Sequence, residues 1–141
     1  MLDTVQVSRL RNGATVVSVA EADAESVSVG VWVGVGGRYE KPALSGASHF
    51  LEHMLFKGTA TRSALEISQA IEGRGGYFNA FTQEESTCYY ARLPYEYLPH
   101  AVDVLADMYV NAVLKEEEVA RERDVILEEI KMYQDLPQHL V

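Results

Sequence analysis

His49-Phe50-Leu51-Glu52-His53 sets two imidazoles and a carboxylate within five consecutive residues. Residues four apart stack one turn above another on a helix, so His49 and His53 can grip one cation together. Glu52 lies beside them, near enough to take a proton from a water held at that cation. Cys88 is the one cysteine in the chain, which excludes a disulfide framework and a cysteine-rich metal site. A metal here must be held by His and carboxylate, and a third ligand has to come from elsewhere in the chain.

Burial narrows the choice of that ligand. The helix expected over about residues 44–57 carries Leu44, Phe50, Leu51, Met54, Leu55 and Phe56, so it is apolar nearly all round and should be buried. His49, Glu52 and His53 fall within about 100° of one another on it. An unpartnered buried carboxylate costs several kcal/mol, so the cluster needs partners. On the last expected helix, with Glu122 at 0°, Val125 lies at about −60°, Ile126 at about +40°, Glu129 at about −20°, Ile130 at about +80° and Tyr133 at about +20°. Glu122 and Glu129 therefore sit inside the apolar stripe, whereas Glu128 turns toward the polar side and, like Glu118, reads as solvated charge. Glu129 pointing at a cation held by His49 and His53 accounts for one of the two. A His₂Glu set leaves a fourth position open, as in catalytic rather than structural zinc sites. Glu122 is then placed to orient a ligand from behind.

The elements that must position these groups are legible in outline. Residues 4–10 and 14–20 read as strands around Arg11-Asn12-Gly13, a hairpin signal. Ser26 to Val35 alternates as a third strand with one buried face, and Gly36-Gly37 breaks it. The helix over 44–57 stops at Gly58. A second helix, about Ser63 to Gly73, starts at a Ser63 cap with Glu66 in the capping-box position. Strands over Tyr77–Thr82 and Thr87–Leu93 follow, with Cys88 as a small core residue. Pro94 and Pro99 introduce a third helix to about Asn111, and a fourth runs from about Glu116 to Tyr133, ending before Pro137. This order predicts an α+β fold, an antiparallel β-sheet with helices packed on one face, over a single domain at 1–141.

Composition excludes several partners. The 141 residues are 48% hydrophobic with a net charge of −9, and no Lys/Arg cluster offers a nucleic-acid interface. No apolar run is long enough for a membrane span. The start of the chain lacks the basic and apolar regions of a signal or transit peptide, which leads to an expectation of a bacterial cytoplasmic setting.

Gly46-Ala47-Ser48-His49-Phe50-Leu51-Glu52-His53-Met54-Leu55-Phe56-Lys57-Gly58-Thr59 resembles the signature of the M16 (pitrilysin-like) peptidases, whose His-x-x-Glu-His order gives the inverzincin name. The resemblance extends through Gly75-Gly76-Tyr77-Phe78-Asn79-Ala80-Phe81-Thr82, Glu84-Glu85-Ser86-Thr87 and Glu122 to Ile130. It implies a zinc metalloendopeptidase of the shorter bacterial, mitochondrial-processing-peptidase-like type. His49, His53 and Glu129 would bind one Zn²⁺ per chain, Glu52 would be the base and Glu122 an accessory carboxylate. Asn79, Ala80 and Phe81 would form the edge strand that pairs with peptide substrate. For Asn79 the residue type alone equally fits a turn opening a strand. His100 and His139 match no ligand position and are expected at the surface.

Members of that family enclose peptides between two similar halves. By that resemblance the chain reads as an incomplete N-terminal catalytic domain that needs a second M16-type half or partner subunit, and it need not be active alone. A different class of function is a non-catalytic subunit that binds peptides or assembles with a partner. Such subunits generally lose part of the His-x-x-Glu-His set, and none is lost here.

Overall fold

The structure, a computed structural model, describes residues 5–135. Strands Gln6–Arg9 (β1) and Thr15–Ser18 (β2) form an antiparallel hairpin with Val7 opposite Val17. Gly13 turns it at φ +89°, a conformation that favours glycine. Ser26–Val33 (β3), Tyr77–Thr82 (β4) and Thr87–Pro94 (β5) make a second antiparallel sheet, ordered β3-β5-β4. The strand boundaries therefore fall within two residues of those read from alternation.

Alternation decides which face of that sheet is covered. Val27, Val29, Val31 and Val33 of β3 pair with Leu93, Ala91, Tyr89 and Thr87 of β5, and this face carries the core. Helices Ala47–Leu55 (α1), Ala64–Ile71 (α2) and Leu98–Asn111 (α3) contribute Leu55, Ile67, Ile71, Val104, Leu105 and Met108 to it. Trp32, Phe81, Tyr90 and Tyr77 lie on the other face, where the Trp32 and Phe81 rings meet edge-on at 5.5 Å. Cys88 is buried on that outer face, paired with Trp32 on one side and Phe81 on the other. The fold is the expected α+β arrangement, and no described helix is long and apolar enough to cross a membrane.

Two carboxylates tie down the ends of α1. Glu40, six residues ahead of the helix cap, accepts the backbone N–H groups of Gly46 (2.6 Å) and Ser48 (2.7 Å), taking up donors that the first turn leaves free. Those bonds hold its carboxyl below the ordinary value. Beyond the other end, Asp107 of α3 accepts from Thr59 (2.7 Å), Thr61 (3.0 Å), Arg62 (2.6 Å) and Asn111 (2.8 Å). The loop after α1 is thereby clamped to α3. A capping box between Ser63 and Glu66 then starts α2 as the sequence indicates.

Burial of α1 is less complete than its composition predicts. Met54 and Leu55 are buried, but Leu51 is 44% exposed. The described residues that pack on it come from the sheet, from the turn Gly37–Tyr39 and from the last helix, Glu116–Gln134 (α4). Beside His49 this leaves a groove of about 460 Å³ lined by Leu44, Phe50, Leu51, Ile126 and Ile130. On α4 the buried line is likewise narrower than the expected stripe: Glu122 and Ile126 are buried, while Val125, Ile130 and Tyr133 are exposed.

The Asp107 clamp has a measurable signature. Burial alone would raise this carboxyl, but the bonds from Asn111, Thr59, Arg62 and Thr61 outweigh it and hold the group at about 2, below 3.8. A carboxyl depressed on folding stabilises fully above about pH 4, and that contribution is lost as pH falls toward 2. Asp107→Ala, which leaves Arg62 facing Asp103 alone, is expected to lower stability by about 3 kcal/mol in denaturant melts at pH 7. An unchanged midpoint would contradict the clamp.

Candidate metal centre

Helix α1 presents His49 and His53 one turn apart toward α4, and α4 presents Glu129 in return. The His49 and His53 Nε2 atoms are 3.1 Å apart. Glu129 Oε2 lies 3.7 Å from the first and 3.6 Å from the second. A tetrahedral site with bonds of about 2.0–2.1 Å has edges of about 3.4 Å, so the three atoms stand close to the corners that zinc would require. All three side chains are partly buried, and among the described residues they are the group of His, Cys, Asp and Glu that converges in this way.

Tautomer chemistry adds to the fit. His53 Nδ1 lies 2.9 Å from Glu122 Oε1. An ionised carboxylate can only accept, so Nδ1 carries a proton, and in the neutral imidazole the Nε2 lone pair then points at His49 and Glu129. A nitrogen acceptor and a carboxylate facing one point are a donor set for a cation.

Glu122 is held as firmly as it holds. It is 5% exposed, and its second oxygen is 2.5 Å from Lys57 Nζ. Burial opposes its ionisation, but the hydrogen bonds from Lys57 and His53 outweigh that and keep its carboxyl below the ordinary value. Lys57 follows α1 directly, so the Lys57–Glu122 pair also joins the helix carrying two candidate ligands to the helix carrying the third. Residue type did not reveal this: Lys57 reads as an ordinary charge near a helix end until Glu122 is known to be buried opposite it.

Glu52 stands on the same helix and bonds across to the sheet. Its Oε2 accepts from Thr82 Oγ1 at 2.5 Å, across the contact between α1 and β4. Asn79, Ala80 and Phe81 occupy the middle of β4, which is an edge strand of the sheet. Asn79 is thus a strand residue, not a turn residue; its side chain donates to Tyr77 Oη (2.7 Å) and accepts the Ala80 N–H (2.9 Å). His100 lies apart, half-buried against the Ala70 carbonyl at 3.0 Å, and His139 lies outside the described residues. Glu40, Lys57, Thr82 and the Asp107 clamp are the residues that sequence reasoning missed. Lys57, Thr82 and Asp107 act across contacts between elements distant in sequence, and Glu40 reaches its helix from outside it, where spacing rules carry no signal.

Known proteins share both the sequence and the shape. A family model described as Insulinase (Peptidase family M16) matches residues 15–141. The chain is 48% identical over 132 residues to YmxG of Bacillus subtilis (strain 168), named an uncharacterized zinc protease, covering 94% of this chain and 30% of that protein. It is 44% identical over 141 residues to another uncharacterized zinc protease from Rickettsia felis, covering 100% of this chain and 34% of that one. The crystal structure of a protease from Helicobacter pylori superposes with a TM-score of 0.94 at 31% identity, over 99% of this chain and 34% of that chain. The chain thus spans about a third of the length of these relatives. From residue 15 onward in sequence, and over nearly all its length in fold, this chain belongs to the M16 family of zinc peptidases.

Proposed function

We propose that the protein is a zinc endopeptidase acting on peptides or unfolded segments, with His49, His53 and Glu129 as ligands of one zinc per chain and Glu52 as general base. The observation that carries the reading is the Nε2, Nε2 and Oε2 triangle, with edges of 3.1, 3.6 and 3.7 Å. Two imidazoles and one carboxylate leave a fourth position for water or substrate. A bound zinc supplies Lewis acidity, polarising a carbonyl and lowering the pKa of water.

The chain's own groups do the rest. Glu52 takes the proton of the attacking water and returns it to the leaving amine. Such a base is typically worth ~10²–10⁴-fold in rate. Glu122 holds His53 in the tautomer that leaves Nε2 free, and Lys57 balances the charge of Glu122. Substrate adds as an extended strand along β4 at Asn79–Phe81, where main-chain hydrogen bonds supply affinity regardless of sequence. The edge position of β4, in contact with α1, supports this.

A second M16-type half or partner subunit would close the groove and the outer sheet face, in keeping with relatives three times this length. The complete His-x-x-Glu-His set sets the catalytic reading ahead of a non-catalytic binding subunit.

In the full-length zinc-loaded protein, Glu52→Gln is expected to keep its metal and lose ~10²–10⁴-fold in kcat. Wild-type turnover in that variant would overturn the mechanism. Glu122→Gln keeps the shape of the side chain but neither its charge nor its grip on Lys57. It should weaken zinc affinity by about 10–100-fold in competition with a chelator, and an unchanged affinity would remove Glu122 from the site.

A further inference from the structure

We propose that Thr82 is a positioning residue for catalysis, holding the Glu52 carboxylate at the end of the strand along which the peptide lies. The inference rests on the reading of Glu52 as base. Thr82 is the last residue of β4, and its hydroxyl oxygen is 2.5 Å from Glu52 Oε2.

Counting protons assigns the direction of this bond. Thr87 Oγ1 lies 3.4 Å from Thr82 Oγ1 and 3.0 Å from the Val35 carbonyl. A hydroxyl has one proton to give, and a backbone carbonyl can only accept. The Thr87 proton therefore goes to Val35, and the Thr82 proton goes to Glu52, which as a carboxylate accepts it. Thr82 stands opposite Thr87 in the β4–β5 pairing, and Thr87 is buried. The donor is thus set by strand pairing and by a β-branched side chain with few rotamers, rather than by a mobile group.

The consequence concerns alignment. A peptide added to β4 takes its register from the same strand that holds the base. Substrate backbone and Glu52 are then referenced to one rigid element. Without the Thr82 hydroxyl, the peptide would still pair with β4, and the two imidazoles would still face Glu129. Only the carboxylate would lose its hold, so the defect should appear in turnover rather than in binding.

The test uses Thr82→Val, which keeps the shape but not the donor, and Thr82→Ser, which keeps the donor but not the methyl group, in the full-length zinc-loaded protein. Thr82→Val is expected to lower kcat by about 10–100-fold, with KM, zinc content and melting temperature unchanged. Thr82→Ser should hold kcat within about threefold of wild type. Should Thr82→Val melt lower than wild type, Thr82→Ser decides alone: retained kcat supports the assignment and a large loss overturns it. Thr82→Val with kcat within about twofold of wild type, beside an inactive Glu52→Gln, would overturn the role of Thr82 and leave the base intact. An active Glu52→Gln would instead show that the base itself was misread.

Discussion

The structure depends on holding two helices, α1 and α4, so that a carboxylate of one meets two imidazoles of the other. Which of these groups attract one another depends on where the protons lie. A neutral His53 with its proton on Nδ1 directs a lone pair toward His49 and toward the negative oxygen of Glu129, and acceptors facing acceptors repel unless a cation or proton lies between them. The arrangement persists because other contacts hold the helices in place. Lys57 and Glu122 form one of these, a cation just past the end of α1 and a buried carboxylate on α4 at 2.5 Å. Burial makes that pair costly to separate, since a lone carboxylate at this position would lack its main counter-charge.

Farther out, α1 is pinned by groups with no part in the proposed chemistry. Glu40 takes the free N–H groups at its start, and Asp107 gathers four donors around the loop that follows its end. Glycines allow two of the approaches involved. A Cβ on Gly36 would lie 2.0 Å from the Gln83 carbonyl oxygen, so only glycine lets the segment after β3 pack against the β4–β5 turn. Gly58, at φ +127°, lets the chain leave α1 and turn back toward α3. Rigid support of this kind is what a site needs when small displacements of its groups cost large factors in rate.

Much of this was legible in the sequence. Strand alternation gave β3, β4 and β5 closely, because each has one face against the core and the other outside it. The phase of α4 placed Glu122 and Glu129 on the buried side and Glu128 off it, and Glu122 is buried while Glu128 is exposed. Less legible was how far burial extends. A helix as apolar as α1 reads as enclosed, yet Leu51 and the groove beside His49 are open within the described residues, because composition registers what a surface could bury and not what lies against it. Tertiary polar contacts were not legible at all. Glu40 bonds to a backbone six residues on, and Thr82 and Asp107 bond to side chains thirty and forty-eight residues away; local propensity says nothing about such pairs.

The central claim is that Glu129, from a separate helix, completes a zinc site begun by His49 and His53. Its most direct test is a zinc titration of the purified protein beside His49→Ala and Glu129→Gln, with folding followed in parallel by circular dichroism. The account requires about one tightly bound zinc per wild-type chain and a marked loss of affinity in both variants while each remains folded. Wild-type affinity in Glu129→Gln, or a folded wild-type protein that takes up no zinc, would contradict it.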